Sequence, residues 1–487
     1  MAKIAYYQDT IAAIATPFGE GAVGIVRLSG PEAMAITQKV FVAKNKKPLS
    51  GMRSFSLRYG WVVKRRQEGR DCNLLSSVDY SLSSEEIVDE VIVSLMRAPK
   101  SYTREDVVEI NSHGGARVLS SILELVLDNG ARPAQPGEFT KRAFLNGRLD
   151  LTQAEAVLDV IQAKSDLALK IGMSQLSGEV GRCISGLRAK ILEILADIEA
   201  EIDFSEEDVT SGELSERSEG KDLRTGILGV IKELTTLLEK SFQGKVIREG
   251  LKVVIFGRPN VGKSSLLNAI LKKERSIVTP IAGTTRDTVE EFINIKGLAV
   301  QLVDTAGILE YRDDIEKEAL NRTQKAIQTA DLVIFVLDGS SPVTGEDRIL
   351  ANQARLKKTI VAVNKCDQAR RIDLASLKGL IPETIVEVSA LENRNITRLE
   401  GLIYRSVFDS HANFDEGVVI SNARHIEALK RGTHHLAAAL ETLDKGLSLE
   451  FVSLDVKKAL DAIGELTGEV FNDDVLNVIF SKFCIGK

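Results

Sequence analysis

The sequence predicts a multidomain chain of α/β and α+β parts, in which an α/β nucleotide-binding type of domain interrupts a helical bundle and an α+β domain comes first. Three observations predict it. Residues 1–148 hold short β-prone runs broken by Gly and Pro, with some helix. Apolar residues recur at helical spacing on both sides of a central stretch, as Leu187, Ile191, Ile194, Ile198 and Ile202 before it and within 426–443 and 455–466 after it. Between them, GRPNVGKSS (257–265) follows the buried-strand run LKVVIF (251–256), the order of a strand, a phosphate loop and a helix.

The whole chain sets the bounds. Its 487 residues exceed one ordinary domain, and 44% hydrophobic with 27% charged residues suits a globular protein. A net charge of −6 argues against broad coating of nucleic acid. Lys44–Lys47 and Lys64–Arg66 are local basic stretches and are expected to be solvated loops. Cys72, Cys183, Cys366 and Cys484 are scattered, with no metal or disulfide spacing. No apolar run approaches the roughly 20 residues that cross a bilayer, and MAKIAYYQDT lacks the apolar core of a signal peptide. The expectation is a soluble, cytoplasmic protein with no membrane association.

Taken in order, VGIVRLSG (23–30), SFSLRYGWVV (54–63), EVIVSLM (90–96) and DVVEINSHGG (106–115) are the strand signals of the first domain. Helix begins near Leu151, and a second stripe at Leu223, Ile227, Val230, Ile231, Leu234 and Leu238 repeats the period. The simplest architecture has four segments: 1–148, the first helical part 149–249, the nucleotide domain 250–410 and the second helical part 411–487. The two helical parts are expected to pack on one another.

Four motifs stand in the order a Ras-like P-loop GTPase needs: GRPNVGKSS, DTAG (304–307), NKCD (364–367) and SAL (389–391). Amides of Asn260, Val261, Gly262, Lys263, Ser264 and Ser265 would wrap the phosphates at a helix N-terminus. Lys263 would neutralise the β- and γ-phosphates, and the Ser264 hydroxyl would ligate magnesium. GTTRD (283–287) lies where the first switch should be, which makes Thr285 the second magnesium hydroxyl. Asp304, followed by Thr305 and Ala306, would hold the magnesium shell through water, and Gly307 would give the γ-phosphate an amide. Asp367 would accept two hydrogen bonds from guanine that adenine cannot offer. Asn364, Lys365 and Ser389 shape that pocket, and the Ala390 amide would meet the guanine oxygen. GTP is therefore the expected nucleotide. Where signalling GTPases carry a water-orienting Gln, this chain has Ile308. Glu310, Asp313, Asp314 and Glu316 are the candidates to replace it, or belong to a solvated switch loop.

Three further features carry chemistry. GEGAVG (19–24) matches a dinucleotide fingerprint in letters, but a strand-like run follows it where that motif needs a helix. His113 could be a ligand or base, without clustered partners for a metal. Cys484, near Lys482 and Lys487, is an inert small hydrophobe or a thiolate nucleophile.

On these motifs, and on DTIAAIATPFGEGAVGIVRLSG, PGEFTKRAFLNGRLDLTQAEAVLDVI and the final CIGK, the chain resembles the bacterial tRNA-modification GTPases of the MnmE (TrmE) family over nearly its full length. The resemblance implies an N-terminal folate-binding and dimerisation domain, a discontinuous helical domain ending in CIGK, and an inserted GTPase. It implies a homodimer that works in a heterotetramer or larger complex with the flavoprotein MnmG (GidA), which carries FAD. Together they would add an aminomethyl or carboxymethylaminomethyl group at carbon 5 of the wobble uridine of certain tRNAs. The carbon would come from a tetrahydrofolate, as the 5-formyl or 5,10-methylene derivative. By the same resemblance Asn260, Thr279, Ile281 and Thr284 would coordinate potassium, and Glu316 would orient water. Arg27, Glu109, Arg148 and Lys487 fall where the family contacts folate, with Arg148 standing where some relatives have Lys. Cys484 matches the family's terminal cysteine, whose role the resemblance leaves open. A ribosome-assembly switch or a stand-alone folate enzyme with a regulatory GTPase are the competing classes.

Overall fold

Alternation along the N-terminal strands decides which face of their sheet is covered. The computed structural model describes residues 8–65, 85–207, 219–273, 292–304, 326–382, 384–408 and 417–487. It divides into two units, 1–158 with 467–487, and 159–466. The segment expected at 411–487 is thus shared between them.

The first unit holds β1 (Ile11–Ile14), β2 (Gly21–Ser29), α1 (Ala33–Val40), β3 (Phe41–Ala43), β4 (Ser56–Arg65), β5 (Glu85–Met96), β6 (Val107–Gly114), α2 (Ala116–Asp128), β7 (Arg132–Pro133) and α3 (Glu138–Leu145). The sheet runs β3-β4-β5-β6-β2-β1-β7, antiparallel except for the β1–β7 pair. Val26, Leu28, Val91, Val93, Leu95, Val108 and Ile110 point to one face and form a core with Ile36, Val40, Leu119, Ile122 and Val126 of the two helices. The intervening residues Val23, Leu57, Tyr59 and Ile92 stay exposed. GEGAVG enters β2 and not a helix, in agreement with the rejection of the dinucleotide reading.

α4 (Leu151–Gln162) follows, and the last helix of the chain, α14 (Asp473–Phe480), joins it; intermediate helices are defined below. Leu476, Ile479, Phe480 and Phe483 close a small core with Phe144, Leu151, Ala154 and Leu158. The tail therefore leaves the helical bundle for the first unit.

The second unit begins at Asp159, within the last turn of α4. Ser165 accepts a hydrogen bond from the Ala168 amide and starts a new helix, α5 (Asp166–Leu176), so the helix that begins at Leu151 does not continue into it. α6 (Glu179–Glu207) and α7 (Glu219–Glu239) carry the two apolar stripes, and α8 (Ser241–Glu249) leads into the nucleotide domain. That domain runs β8 (Leu251–Phe256), α9 (Lys263–Lys273), β9 (Phe292–Ile295), β10 (Leu298–Asp304), β11 (Leu332–Asp338), α10 (Gly345–Ala354), β12 (Thr359–Asn364), β13 (Ile385–Glu387) and α11 (Ile396–Val407). Its sheet order is β13-β12-β11-β8-β10-β9, parallel apart from the β9–β10 hairpin. Strands buried on both faces, such as Leu332–Asp338, explain the continuous apolar runs. α12 (Ala423–Asp444) and α13 (Leu449–Thr467) return to the bundle. Leu187, Ile191, Ile198, Leu223, Ile227 and Leu234 share one core with Leu429, Leu436, Val456 and Ile463. The bundle is discontinuous, with the nucleotide domain inserted.

Candidate functional sites

The nucleotide site starts from a loop that cannot satisfy its own backbone. β8 is buried to its last residue, and residues 257–262 then turn sharply into α9. Gly262 has φ 92°, and a Cβ there would lie 2.2 Å from Asn364 Nδ2, so only glycine fits. Three carbonyls of the turn are tied back by side chains. Lys263 Nζ donates to Arg258 O at 2.9 Å, Lys365 Nζ to Asn260 O at 3.1 Å, and Asn364 Nδ2 to Val261 O at 2.9 Å. Carbonyls held this way leave the turn's amides for an anion, beside the positive end of α9.

The guanine motifs are joined to that turn. Asn364 lies buried at the end of β12, and its Oδ1 accepts the Ala390 amide at 3.1 Å. Lys365 also donates to Asp338 Oδ2 at 2.7 Å. Burial would raise the Asp338 carboxyl, but Lys365 and Ser340 hold it below the usual carboxylate range. Ser389 is fully buried, and its Oγ takes the Glu392 amide at 3.2 Å. Asp367 is half-buried; Asn260 is exposed on the turn, and Ser264 and Ser265 are exposed in the first turn of α9. The backbone of Asp304 ends β10 in register with Ile255 of β8, one residue short of the last residue before the loop. Thr279, Ile281, Thr284, Thr285, Thr305, Ala306, Gly307 and Glu316 lie outside the described residues.

In the first unit, four residues far apart in sequence meet. Arg27 on β2 faces Glu109 on β6 in register, and Arg27 Nε donates to Glu109 Oε1 at 2.8 Å. Arg27 Nη1 donates to Gly486 O at 3.1 Å, and its guanidinium lies 5.7 Å from the centre of the Phe139 ring. The tail is held through its backbone. The Phe139 amide, in the first turn of α3, donates to Lys487 O at 3.2 Å, and the Gly137 amide to Cys484 O at 3.4 Å. Burial and the neighbouring Arg27 lower the proton affinity of the Lys487 ammonium, while Glu109 and Cys484 act in the opposite sense. Cys484 itself is exposed. Arg148 stacks 4.8 Å from the centre of the Tyr102 ring, and Tyr102 packs on the Phe139 cluster. Arg27, Glu109, Lys487 and Cys484 are thus gathered at one place, with Arg148 over the adjoining ring.

Two features escaped the sequence reading. Phe139 and Tyr102 form the aromatic floor beneath the two arginines. Beside them Arg142, wholly buried, binds Asp9 Oδ1 at 2.7 Å, Glu138 Oε1 at 2.9 Å and Glu105 Oε1 at 3.2 Å. Arg132 bridges Asp9 at 2.7 Å and Glu138 at 2.6 Å. Burial would raise both Asp9 and Glu138, and the two arginines hold them low instead. This network fixes α3, and α3 supplies the amide and the ring on which the tail rests. The Glu138/Arg142 spacing of four on a helix was the available signal. His113 meets Asp89 Oδ1 at 2.8 Å, and that carboxylate raises its pKa; its ring is exposed.

The MnmE helical domain model matches residues 151–484, and the model of the N-terminus of the GTP-binding protein TrmE matches residues 10–148. The tRNA modification GTPase MnmE of Ligilactobacillus salivarius is 44% identical over 480 residues, covering 98% of each chain. That of Thermoanaerobacter pseudethanolicus is 44% identical over 480 residues, covering 98% of this chain and 99% of its own. Among solved structures, the G domain of the T. maritima FeoB iron transporter is 30% identical, with a TM-score of 0.24, over 32% of this chain and 98% of its own.

Proposed function

This chain belongs to the MnmE family of tRNA modification GTPases, and on that premise we propose that it links GTP hydrolysis to folate-dependent one-carbon chemistry on tRNA. It is a GTP hydrolase that acts in tRNA modification. Among the described residues, no helix is long and apolar enough to cross a membrane.

The observation that carries the proposal is the meeting of Arg27, Glu109, Gly486 O, Lys487 and Cys484 in the first unit. A tetrahydrofolate carries a pterin with hydrogen-bond donors and a glutamate tail with carboxylates. Glu109 suits the first, and Arg27, Arg148 and Lys487 suit the second. The bound folate, as the 5-formyl or 5,10-methylene derivative, would supply the one-carbon unit. Lys487, already disfavoured as a cation by burial, gains a counter-charge when such a carboxylate arrives.

In the second unit the chain's residues bind and orient. Amides of 260–265 and the Lys263 ammonium take up the phosphate charge, and Asp367 with Asn364 and Ala390 selects guanine. Magnesium, held by Ser264 and Thr285 with Asp304 through water, would neutralise phosphate charge. Potassium would be held by Asn260 with Thr279, Ile281 and Thr284, and would supply the charge an arginine finger brings elsewhere. Asn260 is the described part of that set; it has a φ of 64° and is exposed. Glu316 would orient the attacking water in place of the Gln replaced by Ile308.

The product is an aminomethyl or carboxymethylaminomethyl group on carbon 5 of the wobble uridine, made with the flavoprotein MnmG (GidA) and its FAD. A homodimer is supported by the open face of the N-terminal sheet, where Leu57, Tyr59 and Ile92 stand exposed in neighbouring strands. Mass spectrometry of tRNA nucleosides from a deletion strain tests the reading. The wild-type gene should restore the modified wobble uridine and Arg27→Ala should not; full restoration by that variant overturns the folate assignment. GTP turnover should be faster in potassium than in sodium, and equal rates would remove the cation site.

A further inference from the structure

The loop between β11 and α10 touches both halves of the nucleotide cradle. At its start, Asp338 holds Lys365 of the guanine motif. At its end, Thr344 caps α10, and Asp347 completes a capping box. Thr344 Oγ1 accepts the Asp347 amide at 3.3 Å, while Thr344 N and Oγ1 donate to Asp347 Oδ2 at 2.9 and 2.8 Å. That box uses one carboxylate oxygen. The other, Oδ1, is buried and lies 3.2 Å from Arg258 Nε, an ion pair whose atoms are not aligned as a hydrogen bond. Arg258 Nη2 also donates to Ser341 Oγ at 2.6 Å.

Arg258 is the second residue of the phosphate loop, and its own carbonyl is the one that takes Lys263 Nζ. The tethers on Asn260 O and Val261 O come from the guanine motif. The tether on Arg258 O comes instead from the phosphate-binding lysine. What fixes Arg258 therefore contributes to where Lys263 points.

We propose that Arg258 is a positioning residue for binding of the nucleotide's β-phosphate, paired with Asp347 and held by Ser341 so that its carbonyl helps to aim the Lys263 ammonium at that phosphate. A helix cap would be complete without Arg258. The buried second oxygen of Asp347 has no role in that cap and is neutralised by the guanidinium. The clamp acts on the phosphate half of the cradle and leaves the guanine half to Asn364, Lys365 and Asp367.

The test compares GDP with GMP, which lacks the β-phosphate that Lys263 reaches. In the full chain, Arg258→Ala should weaken GDP about tenfold, the scale of one lost charge-assisted contact, and GMP less than about twofold. Arg258→Lys keeps the charge but not the fork, so GDP should weaken about threefold. The double variant Arg258→Ala/Asp347→Asn should be no worse than Arg258→Ala alone, because the pair acts as one unit. Equal weakening of GMP and GDP would make the pair a folding contact and overturn the proposal, as would an unchanged GDP affinity. Should Arg258→Ala not fold, Ser341→Ala removes a single contact and should lower the GDP-to-GMP preference about threefold. An unchanged preference in that variant overturns the proposal equally.

Discussion

Replacing Gly486 by alanine should unseat the tail without melting the helix it rests on. Gly486 has φ 96°, a left-handed conformation that costs an L-residue roughly 1–2 kcal/mol. A Cβ would also lie 2.4 Å from Ile14 O and 3.0 Å from Ala15 Cα. These are backbone atoms of β1 and the residue after it, which cannot rotate away as a side chain would. Strain and overlap together reach about 3 kcal/mol. Against this stands the Arg27 bond to Gly486 O at 3.1 Å, about 1.5–3 kcal/mol as a hydrogen bond from a charged donor. The methyl group thus offsets the strongest polar contact of the tail. Phe480 and Phe483, buried in their own cluster, hold the chain up to residue 483.

Hydrogen exchange reads the outcome directly. The Phe139 amide is in the first turn of α3, where no intrahelical acceptor exists. Its acceptor is Lys487 O at 3.2 Å. Displacement of the tail should lower its protection about 100-fold, the equivalent of roughly 2.7 kcal/mol. Amides in the last turn of α3, such as Asn146 bonded to Arg142 O at 2.9 Å, should keep theirs. Modified wobble uridine should fall more than about tenfold, while GTP hydrolysis stays intact. Unchanged protection at Phe139 would refute the steric argument; loss of protection throughout α3 would refute the claim that its seat is independent of the tail.

Three other outcomes are expected. Arg142→Ala leaves Asp9, Glu105 and Glu138 without their shared partner, at a cost of about 3–5 kcal/mol. Trp61, the single tryptophan, sits on β4 of that unit, so its fluorescence should report a urea midpoint lower by roughly 1–3 M; a shift within error would mean the network is dispensable. Cys484→Ser keeps the carbonyl that the Gly137 amide bonds and removes the thiol, so modified tRNA should be lost and GTP hydrolysis spared; normal tRNA would reduce the thiol to packing. The Asp9 carboxyl is held low in the folded state by Arg132 and Arg142 against burial, so the unfolded chain takes up the proton first as pH falls. Its stabilisation is complete above the ordinary carboxylate range and disappears on acidification. The stability advantage of wild type over Asp9→Asn should be constant from about pH 8 to 5, begin to fall near pH 4, and be gone only below the lowered range in which the folded carboxyl takes its proton; an advantage fading near pH 6 contradicts the assignment.

The nucleotide domain was legible because its chemistry is written in consecutive residues. Gly257 to Ser265 is one turn with the start of its helix, and Asn364 to Asp367 is one strand end with the residues after it, so each motif is a single stretch of chain. The first unit works differently. Arg27, Glu109 and Lys487 carry no spacing that joins them, and only resemblance to a family brought them together before the fold did. Asp9, Glu105, Arg132, Glu138 and Arg142 are equally dispersed and belong to no motif, so their network stayed hidden. Periodicity states that a helix has an apolar face and is silent on which core receives it. The α14 face, Leu476, Ile479 and Phe480, would suit the helical bundle equally well and instead joins Phe144 and Leu151. That choice carries functional weight, because it is what delivers Cys484, Gly486 and Lys487 to Arg27. A sequence motif at the end of the chain becomes a site only through the helix before it, and the phosphate loop becomes one only through Asn364 and Lys365, about a hundred residues downstream. In both units main-chain carbonyls of the site accept from side chains far away in sequence, Gly486 O from Arg27 in one and Asn260 O and Val261 O from Lys365 and Asn364 in the other, the kind of contact that composition and period cannot foretell.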